Sequence, residues 1–264
     1  MEVCSGAMRT VLVTGGTGAL GRLVVGRLRD QGDVVRVLSR RAGAGTHVGD
    51  LKTGAGVADA AHGVELIVHA ASDTQRFGRT DLEQTVQLLD AARDARHLLY
   101  VSIVGIDRIP FGYYRRKLAC EQRIASSGIP YTILRATQFH ELIAFLLGGA
   151  ERLPAAPLPL DFRFQTVAAA EVAELVAQLS DDEPAGGMLN FGGPEVLTLK
   201  QMATAWIAAR GRPRRVVRLP LPGSVARAFR EGRNTCPEQA TGRQRWTDFV
   251  ATGPPIPYAL KVNR

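Results

Sequence analysis

Short β-branched runs alternate along the first half of the chain with stretches in which apolar residues return every three or four positions. Residues 10–13 form the first run, and Leu20, Leu23, Val24 and Leu28 then recur at helical spacing up to a stop at Gly32. Residues 34–38, 47–48, 65–69, 98–102 and 131–134 read as further strands. Thr80 and Glu83 predict a capping box for a helix with Leu82, Val86, Leu89 and Ala92 on one face. A second helix is expected over 113–125, stopped by Ser126-Ser127-Gly128 and Pro130. Strand, helix, strand in repeated order predicts an α/β fold with a parallel sheet covered by helices on both faces. After residue 140 the pattern changes. Residues 153–160 are proline-rich and read as a loop or extended connector. Helices around Val172, Leu175, Val176 and Leu179, over Leu199–Arg210 and over 225–229, and a strand at 188–191, follow. This predicts a principal domain over 8–150 and a smaller C-terminal α/β lobe over 151–264, partly integrated with the first and roofing its cleft.

The turn after the first strand carries chemistry. Gly15, Gly18 and Gly21 stand in a G-x-x-G-x-x-G pattern, within Gly15-Gly16-Thr17-Gly18-Ala19-Leu20-Gly21, directly between an apolar strand and an apolar helix. One glycine permits the sharp turn, one lets a pyrophosphate approach the backbone, and one lets the helix pack on the strand. The helix N-terminus then offers free N–H groups to phosphate. This is a Rossmann-type dinucleotide site. An NAD site places Asp or Glu at the end of the second strand for the ribose 2′-hydroxyl. Here Ser39-Arg40-Arg41 stands there, and two guanidinium groups suit a 2′-phosphate. The expected cofactor is NADP(H).

Composition narrows the class without changing it. The chain has 264 residues, 45% of them hydrophobic, as a globular protein with a real core requires. No stretch approaches about 18 consecutive apolar residues, and no secretory signal is visible at the start, so a cytoplasmic protein with no membrane partner is expected. Cys4, Cys120 and Cys236 lack metal-ligand or redox spacing and read as reduced thiols; no metal is expected. The net charge of +8 includes a cluster of Arg210, Arg212, Arg214, Arg215 and Arg218. With no nucleic-acid-binding signature beside it, this reads as a solvated surface, and a specific nucleic-acid partner is not expected.

On the glycine loop and the segments below, the chain resembles the short-chain dehydrogenase/reductase superfamily, and within it the atypical, NmrA-like branch of NADP-binding proteins. The resemblance implies that Asp50 and Leu51 border the adenine, and that Ala70, Ala71 and Ser72 border the cofactor after the fourth strand. Tyr113-Tyr114-Arg115-Arg116-Lys117 matches the superfamily's Y-x-x-x-K, and Ser102 ends the fifth strand. By the resemblance Tyr113 is the proton donor, Lys117 tunes it and holds the nicotinamide ribose, and Ser102 polarises the substrate oxygen. A spacing of four puts Tyr113 and Lys117 on one helix face, where a cation lowers the proton affinity of a phenol. Lys117 also has Glu121 at salt-bridge spacing, and Tyr114 is the second phenol. Leu134-Arg135-Ala136-Thr137-Gln138-Phe139 resembles the strand end beside the nicotinamide amide, with Thr137 toward the cofactor and Phe139 and His140 toward substrate at the cleft mouth. His69 reads as a satisfied core or cofactor-edge residue, and Trp206 and Trp246 as packing.

The function this implies is an NADPH-dependent reductase of a small carbonyl, enone or quinone. The alternatives are a non-catalytic NADP(H)-sensing regulatory protein and a basic nucleic-acid binder. Substrate and oligomeric state are not written in any motif.

Overall fold

A run of five residues with no polar side, Thr-Val-Leu-Val-Thr, has to be covered on both faces, which a parallel strand between two helical layers achieves. That run is β1 (Thr10–Thr14) in the computed structural model, which describes residues 8–150, 155–211 and 215–253. After it come α1 (Ala19–Asp30), β2 (Val34–Ser39), β3 (Thr46–Val48), α2 (Val57–Ala61), β4 (Leu66–His69), α3 (Asp81–Ala91), β5 (His97–Ile103), α4 (Gly112–Ala125) and β6 (Tyr131–Ala136). The second half holds α5 (His140–Ala150), β7 (Ala155–Leu158), β8 (Arg163–Phe164), α6 (Ala169–Leu179), β9 (Gly187–Phe191), β10 (Leu197–Thr198), α7 (Leu199–Arg210), β11 (Arg215–Arg218), α8 (Ser224–Arg230) and α9 (Trp246–Ala251).

Among the described residues the main sheet has the order β3-β2-β1-β4-β5-β6-β9, and β3, β2, β1, β4 and β5 pair in parallel. The order turns outward on both sides of β1, so the end of β1 is the switch point at which open α/β sheets bind ligands. The fold expected from the alternation is the one observed.

Two compact units interleave along the chain. One runs to Ser102 and takes in Arg116–Leu134 and Ala173–Leu189; the other holds Ile103–Arg115, Arg135–Val172 and the residues from Asn190 onward. The first unit's core joins Leu12, Ile67, Leu98 and Tyr100 of the strands to Leu88, Cys120 and Ile124 of the helices. The second unit's core is Ile143 and Leu147 of α5, Met202 and Trp206 of α7, and Trp246 and Phe249 of α9. Trp206 and Trp246 are stacked there at 6.2 Å, and the Trp246 indole N–H donates to the Met202 carbonyl at 2.9 Å, so both are packing residues.

Several expectations need correction. Thr80 precedes α3 but its side chain caps nothing; its hydroxyl donates to Asp73 Oδ2 at 3.1 Å and accepts from Gln84 Nε2 at 2.7 Å. The expected apolar stripe is rotated: Leu82 is 40% exposed, and the buried face is Asp81, Gln84, Thr85, Leu88 and Leu89. That face is polar over its first turn because it abuts the polar loop after β4. The proline-rich segment is extended, as allowed, and forms β7, which pairs in parallel with β11. Helices α2, α5 and α9 were not expected at all. Of the basic cluster, Arg210 lies over the Trp206 ring at 4.2 Å and Arg218 pairs with Asp161 at 3.0 Å; Arg212 and Arg214 lie outside the described residues, as does Cys4. Cys120 and Cys236 are buried free thiols.

Candidate cofactor and active site

The glycine loop is built so that side chains are excluded where backbones meet. Gly15 has φ +72°, and a Cβ there would lie 2.7 Å from the Ala71 nitrogen. A Cβ on Gly21 would lie 2.1 Å from the Gly15 carbonyl oxygen, so α1 reaches the loop this closely only with glycine at that position. Gly18 is the N-cap of α1; its N–H donates to Gly15 O at 2.9 Å, and no side chain caps the helix. The first-turn amides of Ala19, Leu20 and Gly21 therefore have no acceptor within the helix. Thr17 and Gly18 are exposed beside them, and the helix dipole adds positive potential at the same place.

Ser39 ends β2, with its hydroxyl accepting the Arg41 N–H at 3.1 Å. Arg40 and Arg41 follow it, both exposed, and neither is paired with an acid among the described residues. Asp50 is half-buried and its carboxylate accepts the Lys52 N–H at 3.0 Å, whereas Leu51 is buried in the core.

After β4 the chain is pinned to the glycine loop. Ala70 N–H donates to the Thr14 carbonyl at 3.2 Å and Ala71 N–H to the Thr14 hydroxyl at 3.4 Å. His69 is enclosed between Thr14 Oγ1 at 2.7 Å and Thr85 Oγ1 at 3.2 Å. Thr85 gives its own proton to the Asp81 carbonyl at 2.8 Å, so it accepts from His69 Nε2–H. Burial, reinforced by the Lys117 charge, pushes the His69 pKa down to about 3. It is a satisfied core histidine.

Ser102 lies near the end of β5, and Lys117 bonds to the carbonyl of the residue before it. Lys117, 3% exposed, donates from Nζ to the Val101 carbonyl at 3.2 Å and stands 4.4 Å from the centre of the Tyr100 ring. Burial lowers its pKa, opposed by the Asp81 and Glu121 carboxylates. Ser102 Oγ is buried with no hydrogen-bond partner. An unmet buried hydroxyl costs on the order of 1–3 kcal/mol, which a ligand's polar group would recover.

The second unit carries the phenols. Tyr113 lies in the first turn of α4, half-buried, with ring contacts to Phe111 and Tyr114, and Lys117 follows it one helical turn later. Tyr114 is buried; its hydroxyl accepts from Gln138 Nε2 at 3.5 Å, and burial pushes its pKa up to about 12. That makes Tyr114 a poor second phenol. Thr137 is buried, and its hydroxyl accepts the Gly193 N–H at 3.4 Å. Phe139 is half-buried. His140 does not stand at an open mouth. It is fully buried, bonded to Thr166 Oγ1 at 2.8 Å and the Gln244 carbonyl at 3.0 Å, and stacked on Phe249. A ring satisfied on both nitrogens has nothing left for a substrate, and burial pushes its pKa down to about 4.

These two histidines make a pH prediction. Each is neutral when folded and titrates near 6.5 when unfolded, so below that value protons favour the unfolded chain. Their stabilising contribution is complete above the unfolded pKa and is lost as pH falls toward the folded ones. Chemical denaturation at pH 5 against pH 7.5 should show a loss of about 2 kcal/mol per histidine, in a window where most carboxylates stay ionised. Equal stability at the two values would show that the rings are not held neutral.

A family profile described as NAD(P)H-binding matches residues 15–183, the stretch from the glycine loop to the end of the first unit's helices. The chain belongs to this NAD(P)H-binding family of atypical short-chain dehydrogenase/reductases. Among curated proteins, the family member is similar to the (4-alkanoyl-5-oxo-2,5-dihydrofuran-3-yl)methyl phosphate reductase of Streptomyces griseus, 30% identical over 217 residues, covering 78% of this chain and 75% of that one. It is 26% identical over 256 residues to the divinyl chlorophyllide a 8-vinyl-reductase of Oryza sativa, covering 80% of this chain and 61% of that one. Among solved structures, the NADPH complex of an NADPH-dependent quinone oxidoreductase from Escherichia coli shares the fold, with a TM-score of 0.75 at 19% identity over 92% of this chain and 99% of that one.

The residues present fit a dinucleotide: amides at the start of α1 with no side-chain cap, exposed guanidiniums at the end of β2 and a buried Ser102 hydroxyl, the last two without a partner among the described residues. Sequence reasoning missed Asp81, whose carboxylate is buried against Ser72 and Asp73. The signal was an acid in the first turn of a helix, which reads as an ordinary complement to the helix dipole. It also missed Arg116, whose guanidinium ties α4 to the Phe77 carbonyl at 3.1 Å.

Proposed function

We propose that this protein is an NADPH-dependent reductase of a small conjugated carbonyl compound, an enone or a quinone. The observation that carries the reading is the buried Lys117 amine, one helical turn after Tyr113, at the same strand end as the partnerless Ser102 hydroxyl. The relatives favour conjugated substrates. The dihydrofuranone in the Streptomyces enzyme's name has a ring double bond conjugated to carbonyls, and the solved neighbour is named for quinones.

In this reading the α1 amides and the Gly15–Gly21 turn hold the diphosphate, and Arg40 and Arg41 take the 2′-phosphate. Asp50 borders the adenine, Ala70, Ala71 and Ser72 line the bound dinucleotide, and Lys117 donates to the nicotinamide ribose. When bound, NADPH supplies the hydride. Ser102 donates its free hydrogen bond to the substrate carbonyl oxygen, where negative charge develops during reduction. Tyr113 gives its phenolic proton to that oxygen, and the Lys117 ammonium stabilises the phenolate left behind. Both His69 and Tyr114 are held in protonation states that do not change near neutrality, so neither competes for the proton.

The experiment is a panel of enones, quinones and simple ketones, with NADPH consumption followed at the nicotinamide absorbance band. Turnover of conjugated members above simple ketones supports the proposal. Tight NADPH binding with no turnover across the panel would replace it with the cofactor-sensing alternative.

A further inference from the structure

The loop after β4 engages its acids within the fold and turns its arginines outward. Asp81 accepts the Ser72 hydroxyl and the Asp73 N–H, each at 2.7 Å. Asp73 Oδ2 accepts the Thr80 hydroxyl at 3.1 Å and stands 3.9 Å from the Lys52 amine. Between these two acids the backbone closes a tight turn, held by the Gly78 N–H on the Asp73 carbonyl at 2.8 Å and the Phe77 N–H on the Thr74 carbonyl at 3.3 Å. The turn exposes Arg76, Phe77 and Arg79. Arg116 of α4 closes on it through the Phe77 carbonyl. None of these three guanidiniums is paired with an acid among the described residues. Phe77 is the odd choice for its position. Its φ of +52° and ψ of 43° lie in the left-handed region, the only positive φ outside glycine among the described residues, and it is 60% exposed. A bulky side chain is strained there where glycine or asparagine is not, and an exposed ring recovers little of that cost by burial. Strain of this kind persists where a site uses the side chain.

We propose that this turn is a recognition surface for an anionic group on the substrate: Arg76, Arg79 and Arg116 take a phosphate monoester or a carboxylate, and the Phe77 ring covers the flat body of the molecule that carries it. That the ligand is the substrate rests on the reductase reading; the anion surface does not. The same loop carries Ser72, and Arg116 immediately precedes Lys117, so the surface adjoins the elements that the reductase reading gives to the cofactor. Guanidinium groups suit both anions, because their paired N–H donors match two oxygens of a carboxylate or a phosphate. The acids of the loop do not compete for them, since Asp81 is spent on Ser72 and Asp73, and Asp73 on Thr80 and Lys52. The turn is fixed from within before any ligand arrives, which lowers the ordering cost of binding.

The test compares hydroxymethyl-cyclohexenone with its phosphate ester and with carboxymethyl-cyclohexenone, by kcat/KM with NADPH. One or both anionic enones should exceed the neutral one roughly 10- to 100-fold, and the preference should shrink at high salt. Whether the ester or the acid ranks first separates a phosphate substrate from a carboxylate one. Arg76→Ala with Arg79→Ala, both at exposed positions, should bring the anionic-to-neutral ratio down toward one. Arg93→Ala, an equally exposed arginine beyond the far end of α3, controls for net charge and should leave that ratio as it was. Phe77→Asn carries the sharper contrast. Asparagine accepts the left-handed backbone, so the variant should resist denaturant as well as the unmutated protein or better, while KM for the anionic enone rises about tenfold. Equal kcat/KM for all three enones, or a ratio unmoved by the double arginine change, overturns the proposal. So does a Phe77→Asn protein that is less stable with its KM unchanged, which would make the ring a packing residue. Calorimetry of the phosphate ester and the carboxymethyl enone with the NADP⁺-loaded protein separates the two readings. Binding of either anionic enone that is lost with Arg76 and Arg79, without turnover, would keep the surface and remove the reductase; no binding and no turnover of either would overturn the surface itself.

Discussion

Tyr113→Phe is expected to lose roughly 10²–10⁴ in turnover while keeping the fold and NADPH affinity, the usual value of a positioned proton donor. The expectation follows from α4. Tyr113 stands in its first turn with Lys117 one turn later, and the buried amine is held by the Val101 carbonyl and the Tyr100 ring rather than by solvent. Lys117→Ala should lose turnover and NADPH affinity together, because one ammonium serves both the phenol and the ribose. Tyr114→Phe is the control. Its phenol is buried against Gln138 with a pKa near 12, and its loss should change turnover little. Steady-state kinetics with the best substrate of the panel, beside cofactor titrations, separate these effects. Full activity in Tyr113→Phe would rule this phenol out as the donor.

Changing Arg40 and Arg41 together to alanine should weaken NADPH binding roughly 5- to 100-fold and leave NADH binding nearly unchanged. No acid follows β2 to hold a ribose 2′-hydroxyl, and both guanidiniums are exposed and unpaired among the described residues. A charge-assisted bond to a 2′-phosphate is made only to the phosphorylated cofactor, so the loss should be selective and should shrink at high salt. Calorimetry of the unmutated protein with both cofactors sets the baseline. Equal affinity for NADPH and NADH, or an equal fall for both in the double variant, would contradict the assignment.

How much of this could be read from the chain depended on where the physical signal was local. β1, the glycine loop and α1 were legible because an apolar run, three glycines and a helical stripe are each set within a few residues. The close approach of Gly21 to the Gly15 carbonyl shows why those glycines leave no alternative. The second half was less legible. Helix α5, His-Glu-Leu-Ile-Ala-Phe-Leu-Leu-Gly-Gly-Ala, is apolar on most sides and carries two glycines in its last turn, so it shows no clean period. Strands β8 and β10 are two residues each and are defined by pairing rather than by pattern.

The site was legible in its motifs and illegible in its buried polar contacts. Thr80 and Glu83 have the spacing of a capping box, yet the Thr80 hydroxyl is drawn to Asp73, because the loop that Asp81 holds brings that carboxylate within reach. His140 follows a strand end, where a ligand-facing residue is expected, but Thr166 and the Gln244 carbonyl close around it from far along the chain. Long-range partners of this kind leave no trace in local spacing. Asp81 is illegible for the same reason: its carboxylate meets Ser72 and Asp73 only once the loop after β4 folds back onto the start of α3.

The central claim is that the Lys117 and Ser102 strand end serves hydride transfer to a conjugated carbonyl compound. A single-turnover reaction of the protein with NADPH deuterated at the nicotinamide C4, in excess over an enone, tests it most directly. The account predicts one deuterium, from one face of the nicotinamide, at the β-carbon of the reduced product, with the second hydrogen coming from solvent. NADPH bound tightly and left unconsumed, with no deuterium in any enone or quinone offered, would contradict it.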